Sequence, residues 1–243
     1  MPHVLIVTAV PPERDAVTSA FRGTAPVTEA PLPGGRRLHR LADGGGTLDV
    51  LAGGVGPAAA AAATATALTA ADLAGRPYTL VVSAGIGGGF PDAEGAPAAP
   101  GGVIVADALV AADLGAQTAT GFAPVTALGF GTDSHRSPAP LVRALAEATG
   151  ARVGPVLTVS TATGTARRAA ELADRHPGAA AEAMEGFGVA EAAAAHGVPV
   201  LEVRTVSNAV GPRDRDAWRI PEALAALGGA CAALPGVLRA WQA

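Results

Sequence analysis

TLVVSAGIGGG, residues 79–89, is an apolar run that empties directly into glycine. Thr79 to Ser83 has no polar alternation, which is the pattern of a strand covered on both faces, as in a parallel sheet flanked by helices. Gly85-Ile86-Gly87-Gly88-Gly89 then reads as a loop at the strand's carboxyl end. The missing side chains there would suit a phosphate, a flat ligand or simply a tight turn.

Upstream, Val4 to Val10 is a second continuous apolar run, and Pro11-Pro12 after it signals a turn and helix start with Glu13 at the strand's mouth. Thr47 to Leu51 reads as a strand, and the Ala-rich stretch from Pro57 to Leu73 as a helix with Pro at its first position. Downstream, Val103 to Val110 is a strand, Leu141 to Thr149 a helix, and Val153 to Ser160 a strand. A Thr-rich turn at 161–165 leads into a helix reaching about Arg175. Ala179 to Met184 is ambiguous. Glu185 to His196 is a helix closed by Gly197, and Val198 to Val206 is the last core strand, with Ser207-Asn208 at its mouth. Pro221 to Trp241 is a closing helix open to interruption at Gly228-Gly229 or Pro235.

Strands alternating with helices predict an α/β fold: one domain over residues 1–243, with three α/β/α layers around a central mixed, largely parallel sheet. Ligands in such sheets bind beyond the carboxyl ends of the strands. Glu13, the glycine run, Ser160-Thr161 and Asn208 all fall there.

Composition narrows the function. Aromatics are only 3% against 49% hydrophobic residues, so Ala, Val and Leu must build the core. A net charge of -4 with no basic stripe disfavours a nucleic-acid or membrane-surface partner and leaves a small molecule as the expectation. All 17 basic residues are Arg, which excludes a P-loop lysine, a Schiff base or a Ser-Lys dyad. Cys231 is the single cysteine and predicts a buried apolar side chain, a reduced cytoplasmic setting and no thiolate metal site. The short apolar start after Met-Pro-His does not read as a signal peptide. His3, His39, His135, His176 and His196 show no metal-ligand spacing, and neither a metal nor a cofactor is expected. A dinucleotide site would need G-x-G-x-x-G after the first strand, which ends instead in Pro-Pro-Glu.

Met184-Glu185 places the one internal methionine beside a carboxylate at a helix start. In isolation, such a glutamate is explained by the helix dipole. AVPPE at 9–13, the Ala84 to Phe90 run, Met184-Glu185 and RTVSN at 204–208, in that order and spacing, resemble the purine nucleoside phosphorylase and methylthioadenosine nucleosidase superfamily along the whole chain. Within it, AMEGFGVA at 183–190 and RTVSNAVGPRDR at 204–215 are most similar to futalosine hydrolases.

The resemblance implies cleavage of a purine N-glycosidic bond by water, without a cofactor, in a homo-oligomer. It implies that Glu13 orients or deprotonates water, that Glu185 holds the ribose hydroxyls with Met184 against the sugar, and that Asn208 meets N7 of the base. Ala84, Gly85 and Ile86 would lie against ribose or base, with Ser160, Thr161 and Ser207 nearby. Adenine-specific relatives carry Asp where Asn208 stands. An amide donating to N7, while accepting from N1–H or bridging to O6, points to a 6-oxopurine. Arg213, Arg215 and Arg219 are candidates for an anionic 5′ tail, equally readable as a solvated loop. The nearest alternative is a 6-oxopurine nucleoside phosphorylase, but the first loop and the approach to the glycine run lack the arginines a phosphate would need. Arg14 and Arg136 are the cations that could still serve it. A methylthioadenosine or aminodeoxyfutalosine nucleosidase, a nucleoside sensor and an unrelated cofactor-binding protein are more distant alternatives.

Overall fold

The apolar runs of the sequence become the middle of one sheet. A computed structural model describes residues 3–23, 25–42 and 46–242. In chain order, β1 (His3–Thr8) leads through Ala9-Val10 into α1 (Pro11–Ser19). A hairpin of β2 (Val27–Pro31) and β3 (Arg37–Ala42) precedes β4 (Thr47–Ala52), α2 (Pro57–Leu73), β5 (Leu80–Gly89) and β6 (Val103–Ala111). The small hairpin β7 (Gly115–Thr118) and β8 (Gly121–Pro124) follows, then β9 (Ser134–Arg136), α3 (Ala139–Thr149), β10 (Arg152–Thr158) and α4 (Ala166–Arg175). The chain ends with β11 (Ala181–Ala183), α5 (Gly186–Ala195), β12 (Val200–Ala209), α6 (Ile220–Ala232) and α7 (Leu234–Gln242).

β4, β1, β5 and β12 lie side by side in parallel. Alternation along each strand divides the core into two layers. Val4 and Ile6 pack with Val17 of α1, Leu141 of α3 and Leu227 of α6, whereas Leu5 and Val7 pack with Ala63 of α2 and Val189 of α5. This is the α/β/α layering read from the sequence. The sheet is mixed because β3 and β2 extend it antiparallel beyond β4, and β12 pairs antiparallel with β6.

The glycine run is a strand, contrary to the loop expected. β5 continues through Gly89 and pairs in parallel with β12 along this whole stretch. β11 then comes back antiparallel onto its end, with Glu182 opposite Gly88 and Ala181 opposite Gly89. The glycines permit this closure, since a Cβ on Gly87 would lie 2.7 Å from the Glu182 carbonyl oxygen. β5, β12, β6, β10 and β11 therefore close on one another. The β2–β3 and β7–β8 hairpins carry little apolar patterning and escaped the sequence reading. The closing helix is broken at Ala233, just before Pro235, whose ring is tolerated in a helix's first turn but not in its interior.

At the amino ends of the strands, opposite the functional edge, a polar cluster fastens β1, β3 and β4. Fully buried Asp49 accepts from Arg40 Nε and Nη2, each at 2.8 Å, and from the Tyr78 hydroxyl at 2.7 Å; His3 Nε2 lies at 3.2 Å and its ring stacks on Tyr78. Burial pushes the Asp49 carboxyl up, but the hydrogen bonds from His3, Arg40 and Tyr78 together outweigh it and hold the group at about 2. A carboxyl depressed on folding contributes stability above its unfolded pKa of ~3.9, and that contribution is lost as pH falls toward the folded value. Asp49→Asn is expected to lower unfolding free energy by ~2–3 kcal/mol at pH 7 and to flatten the loss of stability between pH 5 and pH 2. Urea denaturation of both proteins across that range measures it; equal midpoints at pH 7 would remove Asp49 as a fastening point.

Candidate active site

Glu13 is positioned by the chain reversal after β1. Pro11 and Pro12 occupy the first helical positions, so Glu13 stands one turn in and folds back over the helix start. Its Oε2 accepts from the backbone N–H of Ala9 at 2.9 Å and of Val10 at 3.2 Å, and its Oε1 accepts from Ile86 N–H at 2.9 Å. The helix-capping and functional roles of this residue therefore coexist. Three of about four acceptor positions on the carboxylate are committed to backbone. At 4% exposure, burial raises the Glu13 pKa, with Arg204 and the backbone donors opposing the rise. A carboxylate raised in this way is a better proton acceptor near neutral pH.

Arg204 is the centre of the arrangement and is only 1% exposed. Nε donates to Glu202 Oε1 at 2.8 Å, Nη2 donates to Ser83 Oγ at 3.0 Å, and Nη1 lies 3.4 Å from Glu185 Oε2. Burial works against the guanidinium's charge, but Glu202, Glu185 and Glu13 outweigh it. Glu202 is itself fully buried, and burial pushes its carboxyl up against the pull of Arg204. Glu185 immediately precedes α5, and its Oε1 accepts from Gly56 N–H at 3.2 Å.

Two glycines make this packing possible. A Cβ on Gly85 would collide with Arg204 Nη1 and would lie 2.7 Å from Glu13 Oε1, and a Cβ on Gly186 would collide with both oxygens of Glu202.

Asn208 stands near the end of β12. Its Oδ1 accepts from the Ser207 hydroxyl at 2.7 Å and its Nδ2 donates to the Ala209 carbonyl at 2.9 Å. A carbonyl can only accept, so the nitrogen is the atom facing Ala209 and the oxygen is the atom turned to Ser207. The amide thus has its acceptor engaged and keeps one N–H on Nδ2 for a ligand.

Glu13, Glu185, Asn208, Ile86, Met184, Ser207 and Arg213 line one cavity of about 370 Å³, in the range of small-molecule sites. Other residues expected at the site lie elsewhere. Ala84 is buried in the core layer with Val17 and Leu227. Gly85 lies outside the lining and acts by the space it leaves. Ser160 and Thr161 are exposed and outside the lining, and the Ser160 N–H is bonded to Asp113 Oδ2 at 2.6 Å. Ala162 and Thr163 face the cavity in their place because buried Glu182 accepts from Thr163 N–H at 2.8 Å and from Thr163 Oγ1 at 2.5 Å. Arg215 is outside the lining. Its guanidinium and that of Arg213 sit 5.9 and 5.3 Å from the Trp218 ring, and Trp218 lines the cavity.

Glu182, Glu202, Arg204 and Trp218 were not singled out from the sequence. The signal for two of them was present: Leu201-Glu202-Val203-Arg204 carries two charges, two residues apart, in an otherwise apolar strand, hence on one face. Arg14 pairs with Asp15, and exposed Arg136 pairs with Asp107; neither lines the cavity. No three His, Cys, Asp or Glu side chains gather as metal ligands would among the described residues. One guanidinium among three carboxylates gives this end of the cavity a field that suits cationic character and repels anions.

Residues 3–240 match the model of the phosphorylase superfamily. The chain is 69% identical to the futalosine hydrolase of Streptomyces coelicolor, over 99% of this chain and 98% of the relative. It is 46% identical to the futalosine hydrolase of Acidothermus cellulolyticus, over 95% and 89%. Among solved structures it is similar to a 5′-methylthioadenosine/S-adenosylhomocysteine nucleosidase of Colwellia psychrerythraea in complex with adenine, with a TM-score of 0.79, 21% identity and coverage of 98% and 96%. A second such nucleosidase, from Neisseria meningitidis in complex with methylthio-immucillin-A, aligns with a TM-score of 0.76 at 18% identity over 99% and 100%. At these identities the solved structures support the fold alone.

Gly85→Ala is expected to lower turnover by ~10²–10⁴, the range lost when a general base is displaced, because the new methyl group crowds both Arg204 and Glu13. The circular dichroism spectrum should be retained. Full activity in a folded Gly85→Ala protein would show that the close approach of these two groups is dispensable.

Proposed function

We propose, from the premise that the chain belongs to the phosphorylase superfamily and within it to the futalosine hydrolases, that it cleaves the N-glycosidic bond of futalosine with water and releases hypoxanthine. The observation that carries this reading is the polarity of the cavity. Its Glu13–Arg204–Glu185 end is charged and anion-repelling, and further along Asn208 presents an uncharged hydrogen-bonding amide.

The chemistry divides between the two ends. As the bond from C1′ to N9 breaks, its electron pair leaves with the purine and positive charge grows on the ribosyl group. Glu185 accepts hydrogen bonds from the ribose hydroxyls, and these strengthen as that charge develops. Water adds to C1′ while its proton passes to Glu13. The departing base takes up a proton after cleavage.

Asn208 stabilises the departing base without transferring a proton. An amide that shows both its donor and its acceptor to the N7 edge complements adenine, which offers N7 and an amino group there. Oδ1 is engaged by Ser207, and the remaining Nδ2 donor suits the adjacent acceptors N7 and O6 of hypoxanthine. Ser207 thereby sets the preference of its neighbour. At the mouth, Arg213 against Trp218 offers a cation and an aromatic face to the aryl carboxylate of the 5′ tail, with Arg215 on the same ring. The same reading carries a cofactor-independent, cytoplasmic homo-oligomer on a route to menaquinone.

Incubation with futalosine, inosine and methylthioadenosine, with and without phosphate, tests the proposal. Hypoxanthine should appear from futalosine at the same rate in both buffers. A requirement for phosphate would make the protein a phosphorylase. Asn208→Asp and Ser207→Ala should each move the ratio of kcat/KM values, futalosine over its 6-amino counterpart, toward the aminopurine by roughly tenfold or more, since each mismatched buried polar group costs ~1–3 kcal/mol. An unmoved ratio in both variants would mean that this pair does not read the base.

A further inference from the structure

We infer that Glu202 is a positioning residue of the reaction: through its bond to Arg204 and its contact with the start of α5, it aims the guanidinium and seats Glu185 and Glu13 for their work at the sugar. The inference rests on the proposed hydrolysis and assigns a role to a carboxylate that the mechanism above leaves unused.

Glu202 cannot meet substrate, because it is fully buried and lies outside the cavity lining. Whatever it does passes through its neighbours. Alternation puts Val200, Glu202, Arg204 and Val206 on one face of β12, and Val200 and Val206 pack in the layer of α2 and α5. Ser83 and Gly85 of β5 stand in register with Glu202 and Arg204.

Two routes lead outward from this carboxylate. In the first, Oε1 accepts from Arg204 Nε at 2.8 Å while Ser83 Oγ accepts from Nη2 at 3.0 Å. A guanidinium is a rigid planar fork, so two anchored nitrogens fix its plane and point Nη1 at Glu185 Oε2, 3.4 Å away. In the second, a Cβ on Gly186 would collide with both Glu202 oxygens, so the first residue of α5 rests against the carboxylate. Glu185 is the residue just before it.

Stability does not account for Glu202. Its Oε2 is buried with no hydrogen-bond partner in the protein, and the Ser83 hydroxyl, whose oxygen accepts from Arg204, acts on the carboxylate only weakly. An apolar side chain here would remove an unpaired oxygen and one of three like charges around a single guanidinium. Asp49 is the contrast, since donors engage both of its oxygens.

The charge of Glu202 matters as well as its bond. The charged groups facing Glu13 are Arg204 and Glu185, and those facing Arg204 are Glu202, Glu185 and Glu13. Ile104 of β6, in register with Arg204, and Ala60 and Ala63 of α2 add no titratable group on this side. Burial raises the Glu13 pKa and Arg204 opposes the rise. Glu202 offsets the guanidinium's charge, which leaves Glu13 the stronger base.

The test measures kcat, KM, the pH dependence of kcat and thermal unfolding for wild type, Glu202→Met and Glu202→Gln. The methionine removes bond and charge at similar volume. Its kcat should fall by ~10–100-fold, the cost of a small misplacement of reacting groups, with KM within about threefold of wild type because Glu202 meets no substrate. The glutamine keeps an acceptor for Nε and should recover most of that loss. Wild type loses activity as pH falls through the Glu13 pKa, and in both variants this acid limb should move to lower pH by about half a unit or more, as the pull of Arg204 on Glu13 is no longer offset. Should the methionine variant not fold, the acid limb of the nearly isosteric glutamine variant decides alone. If Glu202 only supports the fold, unfolding temperatures drop while kcat of the folded variants and their acid limbs stay at wild-type values. That result would overturn the inference. Product analysis of wild type with futalosine reports on the proposed function separately, and the variants are compared on whichever nucleoside wild type cleaves, because the inference concerns the ribosyl end of the site and not the base.

Discussion

One buried guanidinium, Arg204, donates to Glu202 of its own strand, pairs with Glu185 just before α5, and lies in the field of Glu13 at the start of α1. Removing four charged groups from water is expensive, and replacing such clusters with apolar residues often stabilises a protein. Stability is therefore a poor explanation for the cluster. Its arrangement makes sense as a device that fixes Glu13 and Glu185 relative to each other. Much of the local sequence follows from it. Gly85 and Gly186 are the positions where a Cβ would invade the cluster. Ser83, in the middle of an apolar strand, accepts from the guanidinium's remaining nitrogen.

The site has a chemical gradient across a short distance. The Arg204 end is rich in charge, where a ribosyl cation and a water molecule would react. The Asn208 end offers an uncharged amide, the kind of group that would read a ligand by its donor and acceptor pattern. The opposite rim of the sheet carries a polar cluster of a different kind. Asp49 is fully buried and accepts from His3, Arg40 and Tyr78, so its depressed carboxyl serves the fold. Two buried acidic networks in one sheet thus divide between function and stability according to which ends of the strands they occupy.

The closure of β11 onto β5 brings two stretches of the cavity wall together. Without it, Glu182 and Asn208 would lie on strands separated by the rest of the sheet. With it, the glycine edge of β5 has a polar residue on each side.

The sequence by itself determined the layering and which segments are core strands, because uninterrupted apolar runs such as Val4 to Val7 and Leu80 to Val82 have only one low-energy environment, the middle of a helix-covered sheet. It also determined that Glu13, Glu185 and Asn208 stand near strand ends, since Pro-Pro, a helix start and the end of an apolar run are local signals. Tertiary structure decided the rest. Local pattern made the glycine run a loop, whereas strand closure makes it a strand, because the reason for its missing side chains lies in β11, more than ninety residues away. The cavity wall at 160–163 turned on the bond between Glu182 and Thr163, which exposes Ser160 and Thr161 and turns Thr163 inward. Arg204 looks in sequence like one more charge in a strand beside Glu202; only the approach of Glu13 and Glu185 from elsewhere makes it the hub. Long-range charge pairing and strand closure have no periodicity, so no window of sequence can display them.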